Sequence, residues 1–375
     1  MSEARVTNLS NESNSGGPTI SGITTFSGTN YFVPPVGNTE ERPEKPSPGS
    51  LRFNTDSKHL EYYRGYDSQS GIWTEVESEE INSLEGSSTR ILACGGYNSP
   101  AYLDTIDYFA DGIQSNAEDF GNLTSSRGGG HMGCGSRTRG LVAGDPGGYY
   151  NLIDYITIQS LGNALDFGDR VEKVMQGTAL SSEIRGVFAG GYQPGGARNY
   201  IEYVTIASTG NAVDFGDCIH PNYMAQGGAS TTRGIIAGGD TPTTSNCIEY
   251  ITITTTGNGK DFGDLGVQNV ITQGGSNATR MIIPYCKDSG GSTDNTVEYI
   301  TIATLGNAKD FGDLVTAKTS RGGAASRIHY YTLGAPGYDG IEQCTIATTG
   351  NFLDFANLSA TRHSAAGVSN GHGGL

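Results

Sequence analysis

Residues 185–217 read RGVFAGGYQPGGARNYIEYVTIASTGNAVDFGD, and this segment is the unit that the rest of the chain repeats. Its Asp-Phe pair occurs six times, at intervals of 47, 48, 47, 49 and 44 residues. The aspartates of the six pairs are Asp119, Asp166, Asp214, Asp261, Asp310 and Asp354. A nearly constant period of this length, with short apolar runs and glycine-rich turns, is typical of propeller blades or of a solenoid.

Each repeat divides into four short predicted strands. In one copy, the first strand is the Gly-Gly-Ala-Ser segment at 227–230 and the second is the Arg-Gly-apolar segment at 233–239. The third is Ile-Glu-Tyr-Ile-Thr-Ile at 248–253, and the fourth begins at the Asp-Phe pair. The third strand carries apolar residues on both faces, which is expected of a sheet packed between two others, as a propeller blade is.

The repeat array begins with a second strand and ends with a first strand, and this arrangement favours a closed ring. The first copy begins with a second strand, at residues 89–96, and the last copy ends with a first-strand segment at 362–369. If the last segment pairs with the first copy, both free sheet edges disappear. An open solenoid would instead need polar caps at its ends, and neither end carries one. We therefore predict a six-bladed all-β propeller over residues 87–375, closed by a C-terminal strand.

The N-terminal part is predicted to contain an extended arm over residues 1–40 and a small three-stranded β unit with a linker over residues 41–86. The three strands of that unit are expected near residues 50–54, 60–63 and 71–76, with a hairpin turn between the first two. An aromatic segment of the arm ends in two prolines. It is either a site that docks on another chain or an extended segment packed on its own domain. The candidate docking residues are Phe26, Tyr31, Phe32 and Val33.

The repeats resemble those of a known group of proteins. The double glycine that closes the second strand and the aromatic residue of the third are similar to kelch-type repeats. The fuller phrase, RGxxAGG followed by IEYITIxTxGNAxDFGDL, resembles repeats in virion structural proteins of tailed bacteriophages, notably those of marine cyanobacteria. The resemblance covers residues 89–375, and the N-terminal segments resemble leaders of such proteins. Two copies depart from the pattern, at 280–285, which lacks the double glycine, and at 341–344, which lacks the tyrosine.

The resemblance implies a non-enzymatic virion protein that is assembled in the host cytoplasm. Its leading role would be a tail-associated fibre or receptor-binding component, anchored through its N-terminal region and displaying a propeller for contact with a host glycan or protein. One alternative is a capsid, collar or tail decoration or adaptor protein with a purely structural propeller. A third is an enzyme that degrades surface polysaccharide. The implied partners are other virion proteins and further copies of the chain.

Composition excludes several other classes of function. The chain has 375 residues, with 23 Lys and Arg against 39 Asp and Glu, a net charge of −16. This balance disfavours binding to nucleic acid, which requires a cationic surface. No apolar run is long enough to cross a membrane. The six cysteines form no Cys-x-x-Cys pair and are expected to be reduced filler residues, consistent with synthesis in a cytoplasm.

No motif predicts a catalytic residue, a metal site or a cofactor. The histidines lack the paired spacing that zinc requires. Repeated Asp pairs such as Asp166 and Asp169 supply too few oxygen ligands for calcium, so turn capping is the preferred interpretation. Carboxylates near a propeller mouth, such as Asp240, are conceivable catalytic groups, and nothing in the sequence distinguishes them.

Two sets of residues are candidates for a functional role. An arginine opens the second strand of each repeat, and six such residues could bind an anion, although pairing with the Asp of the Asp-Phe motif is the preferred structural role. These are Arg90, Arg139, Arg185, Arg233, Arg280 and Arg327. The loops between second and third strands vary and are rich in Tyr, Asn and Gly, which is typical of recognition surfaces. Drift on an unselected surface is the alternative source of that variation. The candidate contact residues of these loops are Tyr97, Tyr102, Tyr149, Tyr150, Tyr192 and Tyr200.

Overall fold

The computed structural model describes residues 34–43, 46–67, 70–75, 89–128, 132–144, 149–241, 243–268, 273–285 and 293–375. These residues form strands and turns, and none of them belongs to a helix that could cross a membrane. The chain divides into two compact units, Met1–Glu80 and Ile81–Leu375. This division falls six residues before the boundary that the sequence predicts.

The first unit contains a four-stranded sheet, so the prediction of three strands was wrong by one. Its strands, in spatial order, are Val36–Gly37, Leu51–Asn54, His59–Asp67 and Ser70–Glu75. Val36–Gly37 pairs in parallel with Leu51–Asn54, whereas the other neighbours are antiparallel. The extra strand has only two residues and follows two prolines, an arrangement that is compatible with an edge strand and leaves no readable alternation.

A buried carboxylate lies at the centre of the first unit. The Glu61 side chain is fully buried, and its oxygens accept hydrogen bonds from Arg42 at 2.5 Å and Asn54 at 3.3 Å, with Arg52 at 3.3 Å. Two cations and an amide offset the cost of removing this charge from water. They also connect the strand containing Glu61 to the segment before it.

The second unit consists of six antiparallel sheets within its described residues, numbered here in chain order, each with four principal strands. Sheet 1 contains Ala366–Ser369, Arg90–Asn98, Ala101–Ala110 and Glu118–Arg127. Sheet 2 contains Met132–Gly135, Arg139–Ala143, Leu152–Thr157 and Leu165–Asp169. Sheet 3 contains Thr178–Ser181, Arg185–Ala189, Gly196–Thr205 and Val213–Asn222, with Tyr192–Gln193 paired to the start of its third strand. Sheet 4 contains Gln226–Ala229, Arg233–Ala237, Cys247–Thr252 and Lys260–Asp264. Sheet 5 contains Gly275–Ser276, Arg280–Pro284, Thr296–Thr301 and Lys309–Asp313. Sheet 6 contains Gly322–Ala325, His329–Ala335, Tyr338–Thr345 and Leu353–Asn357. A small ladder, Asp240–Thr241 with Thr243–Thr244, lies beyond the second strand of sheet 4.

The hydrophobic core lies between neighbouring sheets. Leu92 and Ile106 of sheet 1 pack with Val142 and Ile156 of sheet 2, and equivalent clusters fill the successive gaps. The cluster between sheets 6 and 1 includes Tyr331. Burial of both faces of each sheet explains the apolar character of the third strands, and it makes the unit an all-β, propeller-like stack of sheets.

The predicted pairing of the two chain ends is confirmed. Ala366–Ser369 pairs antiparallel with the second strand of sheet 1, with Ala366 opposite Cys94 and Ser369 opposite Ile91. The first strands pack side by side in the order of sheets 1, 2, 3, 4, 5 and 6, and that of sheet 6 packs again on that of sheet 1.

The first strands approach one another so closely that glycine is required. A Cβ atom added to Gly367 would lie 1.9 Å from the carbonyl oxygen of Gly323 on sheet 6. Both atoms are held by backbone pairing, so neither can move away without disturbing a sheet. At Gly186 an added Cβ would instead meet only side-chain atoms, the nearest being Leu141 Cδ1 at 3.0 Å.

We expect Gly367→Ala to lower the free energy of unfolding by about 3 kcal/mol or more, because the added methyl group overlaps a fixed backbone. The matched control, Gly186→Ala, is expected to lose about 1 kcal/mol or less, since flexible side chains can adjust around it. Urea unfolding of the full chain measures both values. Equal losses in the two variants would contradict the close approach of sheets 6 and 1.

Candidate functional site

The repeated Gly-Asn and Asp-Phe residues connect neighbouring sheets. At the junction of sheets 1 and 2, Gly162 N donates to Phe120 O at 2.9 Å, and Asn163 Oδ1 accepts from Asn122 N at 3.0 Å. The same bonds recur at the next four junctions. The phenylalanine of each Asp-Phe pair is buried, whereas its aspartate is exposed. These repeated residues therefore hold neighbouring sheets together.

A buried carboxylate occupies the second position of every third-strand motif. Each accepts a backbone N–H from the segment that follows the Asp-Phe pair of the preceding sheet, as Glu202 Oε2 does from Val171 N at 2.8 Å. The carboxylates thus satisfy donors either in the fourth strand, to which Thr124 and Ile219 belong, or in the linker after it. The six residues are Asp107, Asp154, Glu202, Glu249, Glu298 and Glu342.

Four of these carboxylates form buried ion pairs with an arginine that follows the Asp-Phe pair of the preceding sheet. The pairs are Arg362–Asp107 at 3.0 Å, Arg127–Asp154 at 2.7 Å, Arg170–Glu202 at 3.3 Å and Arg321–Glu342 at 3.0 Å. The arginines do not all lie at the same distance in sequence from the Asp-Phe pair, yet each guanidinium group contacts the equivalent third-strand carboxylate. Burial lowers the pKa of Arg127 and of Arg170, and the neighbouring carboxylate opposes that shift.

Sheets 4 and 5 hold their carboxylate without an arginine. In sheet 5 the hydroxyl of buried Tyr285 donates to Glu298, which confirms that the departure from the repeat at 280–285 changes the packing. In sheet 4 Glu249 receives a hydrogen bond from Ile219 N at 2.8 Å and has no ion pair among the described residues. Burial raises the pKa of Glu249 to about 7, and this hydrogen bond offsets only part of the shift.

The predicted pairing of the second-strand arginines with the Asp-Phe aspartates is wrong. Arg90, Arg139, Arg185, Arg233 and Arg280 donate to main-chain carbonyls of the following sheet, such as Ile253 O at 2.8 Å from Arg185. Each guanidinium also lies over the tyrosine of its own third strand, 4.5 Å from the ring centroid of Tyr203 in sheet 3. Carbonyl binding and ring stacking thus give these arginines a role in joining neighbouring sheets.

Arg327, the sixth predicted member of that set, is exposed and does not occupy the equivalent position. His329 opens the second strand of sheet 6 instead. Its Nδ1 lies 2.9 Å from Asp111 Oδ1 on sheet 1, and Tyr331 donates to the same oxygen at 2.8 Å. The third strand of sheet 6 carries Gln343 in place of the stacked tyrosine. The sheet 6 to sheet 1 junction therefore uses different chemistry, as the departure at 341–344 predicts.

The cavity between the first strands is too small for a ligand. It is lined by first-strand residues of all six sheets and by His372, and its volume is about 50 Å³. Ligand pockets typically measure about 300 Å³ or more, so this space holds only a few water molecules.

The C-terminal residues close that cavity and touch every sheet. His372 Nε2 lies 2.8 Å from Gly135 O and 3.2 Å from Ser181 Oγ, and its Nδ1 accepts from Gly374 N at 3.1 Å. These bonds require a neutral ring. Gly373 N donates to Ser276 O at 2.7 Å. Burial lowers the pKa of His372 to about 4. The tail also reaches sheets 1, 4 and 6 through residues 369–373.

The loops that carry the predicted contact tyrosines lie beside the linkers between sheets. Tyr97 bonds through its backbone to His363, and Tyr192 to Met175. This confirms that loops joining second and third strands share an edge with the linkers that follow fourth strands. Tyr102, Tyr149, Tyr150 and Tyr200 are between 37% and 49% exposed, which leaves each with both a ring surface and a hydroxyl for contact.

One groove contains a predicted contact residue, Tyr192, together with a second tyrosine and a carboxylate. It has a volume of about 430 Å³ and lies between the Tyr192 hairpin of sheet 3 and the loop that begins at Asp240 of sheet 4. The rings of Tyr192 and Tyr223 are 5.2 Å apart at an angle of 60°, and Tyr223 Oη donates to Asp240 Oδ2 at 2.9 Å. Burial and this carboxylate raise the pKa of Tyr223 to about 12, so its hydroxyl stays protonated. The lining is Tyr192, Gly195, Gly196, Ala197, Pro221, Tyr223 and Asp240.

Sequence reasoning found Tyr192 and missed Tyr223 as a site residue. Tyr223 directly follows the fourth strand of sheet 3, in a segment (residues 218–225) whose sequence differs from that of every other copy. That departure was the available signal. The predicted docking residues Phe26, Tyr31, Phe32 and Val33 lie outside the described residues.

The described residues show no cluster of three or more His, Cys, Asp or Glu side chains suited to a metal ion. Cys94, Cys134, Cys218, Cys247 and Cys344 are free thiols, and burial raises the pKa of each. No known protein-family model matches this chain, and no curated protein sequence matches it significantly.

We expect Glu249→Gln to change how stability depends on pH. The carboxyl pKa is raised from 4.5 to about 7 on folding, so the wild-type chain loses stability as the pH rises through that window. The free energy of unfolding of the variant minus that of the wild type should increase by up to about 3 kcal/mol between pH 4.5 and pH 8. The measurement is urea unfolding at a series of pH values.

The control is Glu202→Gln, which leaves Arg170 as an uncompensated buried cation. It should lower stability by about 3–5 kcal/mol at neutral pH. A Glu249→Gln variant that is destabilised to the same extent at pH 8 would contradict the assignment of Glu249 as a carboxylate without an ion pair.

We expect His372→Gln to remove an acid-induced loss of stability. The imidazole has a pKa of 6.5 in the unfolded chain and about 4 in the fold, so protons bind preferentially to the unfolded state between these values. The wild-type chain should therefore lose about 1–3 kcal/mol, relative to the variant, as the pH falls from 6.5 to 4. His220→Gln is the control, because His220 is exposed. The same pH profile in wild type and His372→Gln would exclude a buried neutral His372.

Proposed function

We propose that the second unit is a six-bladed kelch-like β-propeller closed by its C-terminal strand. Three observations support this proposal. Six four-stranded sheets are present in the described residues, their first strands pack in a cyclic order, and one small cavity is lined by all six. The pairing of Ala366–Ser369 with Arg90–Asn98 supplies the strand that the first sheet would otherwise lack.

The chain, we further propose, is a structural protein of a tailed-bacteriophage virion, a tail-associated fibre or receptor-binding component. The N-terminal region attaches it to other virion proteins, and the propeller contacts the host surface. The repeat sequence that resembles phage virion proteins supports a role in the virion. The contrast between the two edges of the sheets is the observation that supports contact with the host surface.

At one edge of the sheets, the repeated residues bind the neighbouring sheet. Arg139 stacks on Tyr155 and binds Ile206 O, and Asn163 binds the adjacent sheet. At the other edge the loops differ from copy to copy and expose tyrosines, such as Tyr150 at 49%. Exposed tyrosine among small polar residues provides contact area at low entropic cost, which is the chemistry of a recognition surface.

We expect the labelled full chain to bind marine cyanobacterial cells, and a variant of the exposed loop tyrosines to lose most of that binding. The variant combines Tyr102→Ser, Tyr149→Ser and Tyr150→Ser, which removes ring surface at three exposed positions; of these, Tyr102 also contacts the ring of Tyr97, with 4.9 Å between the ring centroids. Loss of about tenfold or more in apparent affinity is expected if these rings contribute as interface anchors. Flow cytometry of cells with increasing protein concentration measures the effect.

The matched control changes three exposed apolar residues at the opposite edge, Leu165→Ser, Leu305→Ser and Leu353→Ser. It should bind as the wild type does. If the wild-type chain binds no host cell, the decoration or adaptor role replaces the receptor-binding role. If the control and the tyrosine variant bind equally, the predicted contact edge is wrong.

A further inference from the structure

The groove between Tyr192 and Asp240 has the size of a small-molecule site. Its volume of about 430 Å³ lies within the range of about 300–1,000 Å³ that is usual for ligand pockets. Its walls come from two sheets. The Tyr192 hairpin belongs to sheet 3, and Asp240 follows the second strand of sheet 4. Pro221, in the fourth strand of sheet 3, and Tyr223, just after that strand, line the groove as well.

The walls are held in place by hydrogen bonds that do not involve a ligand. Tyr192 exchanges two backbone hydrogen bonds with Met175, at 2.8 and 3.0 Å, and Tyr223 exchanges two with Asp240, at 2.8 and 3.1 Å. Gln193, next to Tyr192, donates to Glu172 at 2.8 Å. A site that is ordered before the ligand arrives loses little conformational entropy on binding.

The lining chemistry fits one face of a sugar ring. Tyr192 and Tyr223 supply tilted aromatic rings 5.2 Å apart, which offer apolar surface to the C–H face of a pyranose. A carboxylate accepts several hydrogen bonds at once, so Asp240 can hold Tyr223 Oη and also accept from sugar hydroxyls. Ring surface flanked by a small number of placed polar groups is the usual composition of a ligand pocket.

The charge of the site selects among sugars. Asp240 faces the groove, and the chain carries a net charge of −16, so an anionic sugar would be repelled. Hydrolysis of a glycosidic bond generally uses two carboxyl groups, and Asp240 is the sole carboxylate among the described lining residues. The arrangement therefore favours binding over cleavage.

We propose that the Tyr192–Tyr223–Asp240 groove binds a neutral pyranose of a surface glycan. This inference rests on the proposed role in host contact and names the chemical class of the receptor. The groove holds the ring between aromatic surface and carboxylate, and the flexible remainder of the glycan extends into solvent.

The test is saturation-transfer NMR on the full chain with the methyl β-pyranosides of glucose, galactose and mannose, and with methyl glucuronide as the anionic probe. At least one neutral glycoside should bind, and the glucuronide should bind more weakly. Tyr192→Ala should weaken the affinity about tenfold or more through loss of ring contact, and Asp240→Asn should do so because one of the two acceptor oxygens becomes an amide donor.

Two controls separate binding from folding. Tyr192→Phe keeps the ring and should keep the affinity, and Tyr150→Ala removes an exposed tyrosine outside the groove and should also leave the affinity unchanged. Absence of binding by every neutral glycoside, equal binding by Tyr192→Ala, or preferred binding of the glucuronide would each overturn the proposal.

The cell-binding experiment distinguishes this proposal from the proposed function. Wild-type chain that binds cells but no neutral glycoside would overturn the groove assignment and leave the receptor-binding role standing. Wild-type chain that binds a glycoside in the groove but no cells would overturn the receptor-binding role and support the groove as a sugar site.

Discussion

A buried carboxylate in the third strand of each sheet is the constraint on which the second unit depends. The fourth strand of each sheet pairs on one side only and is followed by a linker, so N–H groups of both segments need other acceptors once they are removed from water. Asp107, Asp154, Glu202, Glu249, Glu298 and Glu342 supply those acceptors. Because each carboxyl group belongs to one sheet and its donor follows the Asp-Phe pair of the preceding one, a single carboxyl group connects two sheets. Four of these segments also contribute an arginine, one sheet supplies a tyrosine hydroxyl, and Glu249 keeps its raised pKa.

This division of labour separates the scaffold from the surface available for recognition. The Gly-Asn turns, the stacked Arg and Tyr residues and the buried Phe of each Asp-Phe pair all face another sheet. The C-terminal tail fills the space between the first strands, so that space offers no site. What remains exposed and variable is the edge formed by the loops after the second strands and the linkers, where the groove at Tyr192 lies.

Part of the candidate site could be predicted from the sequence. Tyr192 stood out because it belongs to a variable loop rich in Tyr and Gly. Its partners did not stand out, because Tyr223 follows the fourth strand and Asp240 belongs to the next sheet, and only the packing of sheets 3 and 4 brings the three together. The arginine partners were predicted wrongly for a related reason. A guanidinium can bind a carboxylate or a carbonyl, and the choice depends on which acceptor the neighbouring sheet presents.

The sequence alone determined the all-β class, the four-strand repeat and the pairing of the C-terminal segment with the first sheet. The repeat period, and the strands with which the array begins and ends, can be read directly from the sequence. Only pairing of the last segment with the first sheet removes both free sheet edges. The tertiary structure alone decided which buried charges are paired, where each arginine binds, and that the last residues close the cavity between the first strands. These outcomes depend on distances between residues that are far apart in sequence. A change of a fraction of an ångström in such a distance decides whether a hydrogen bond or ion pair forms.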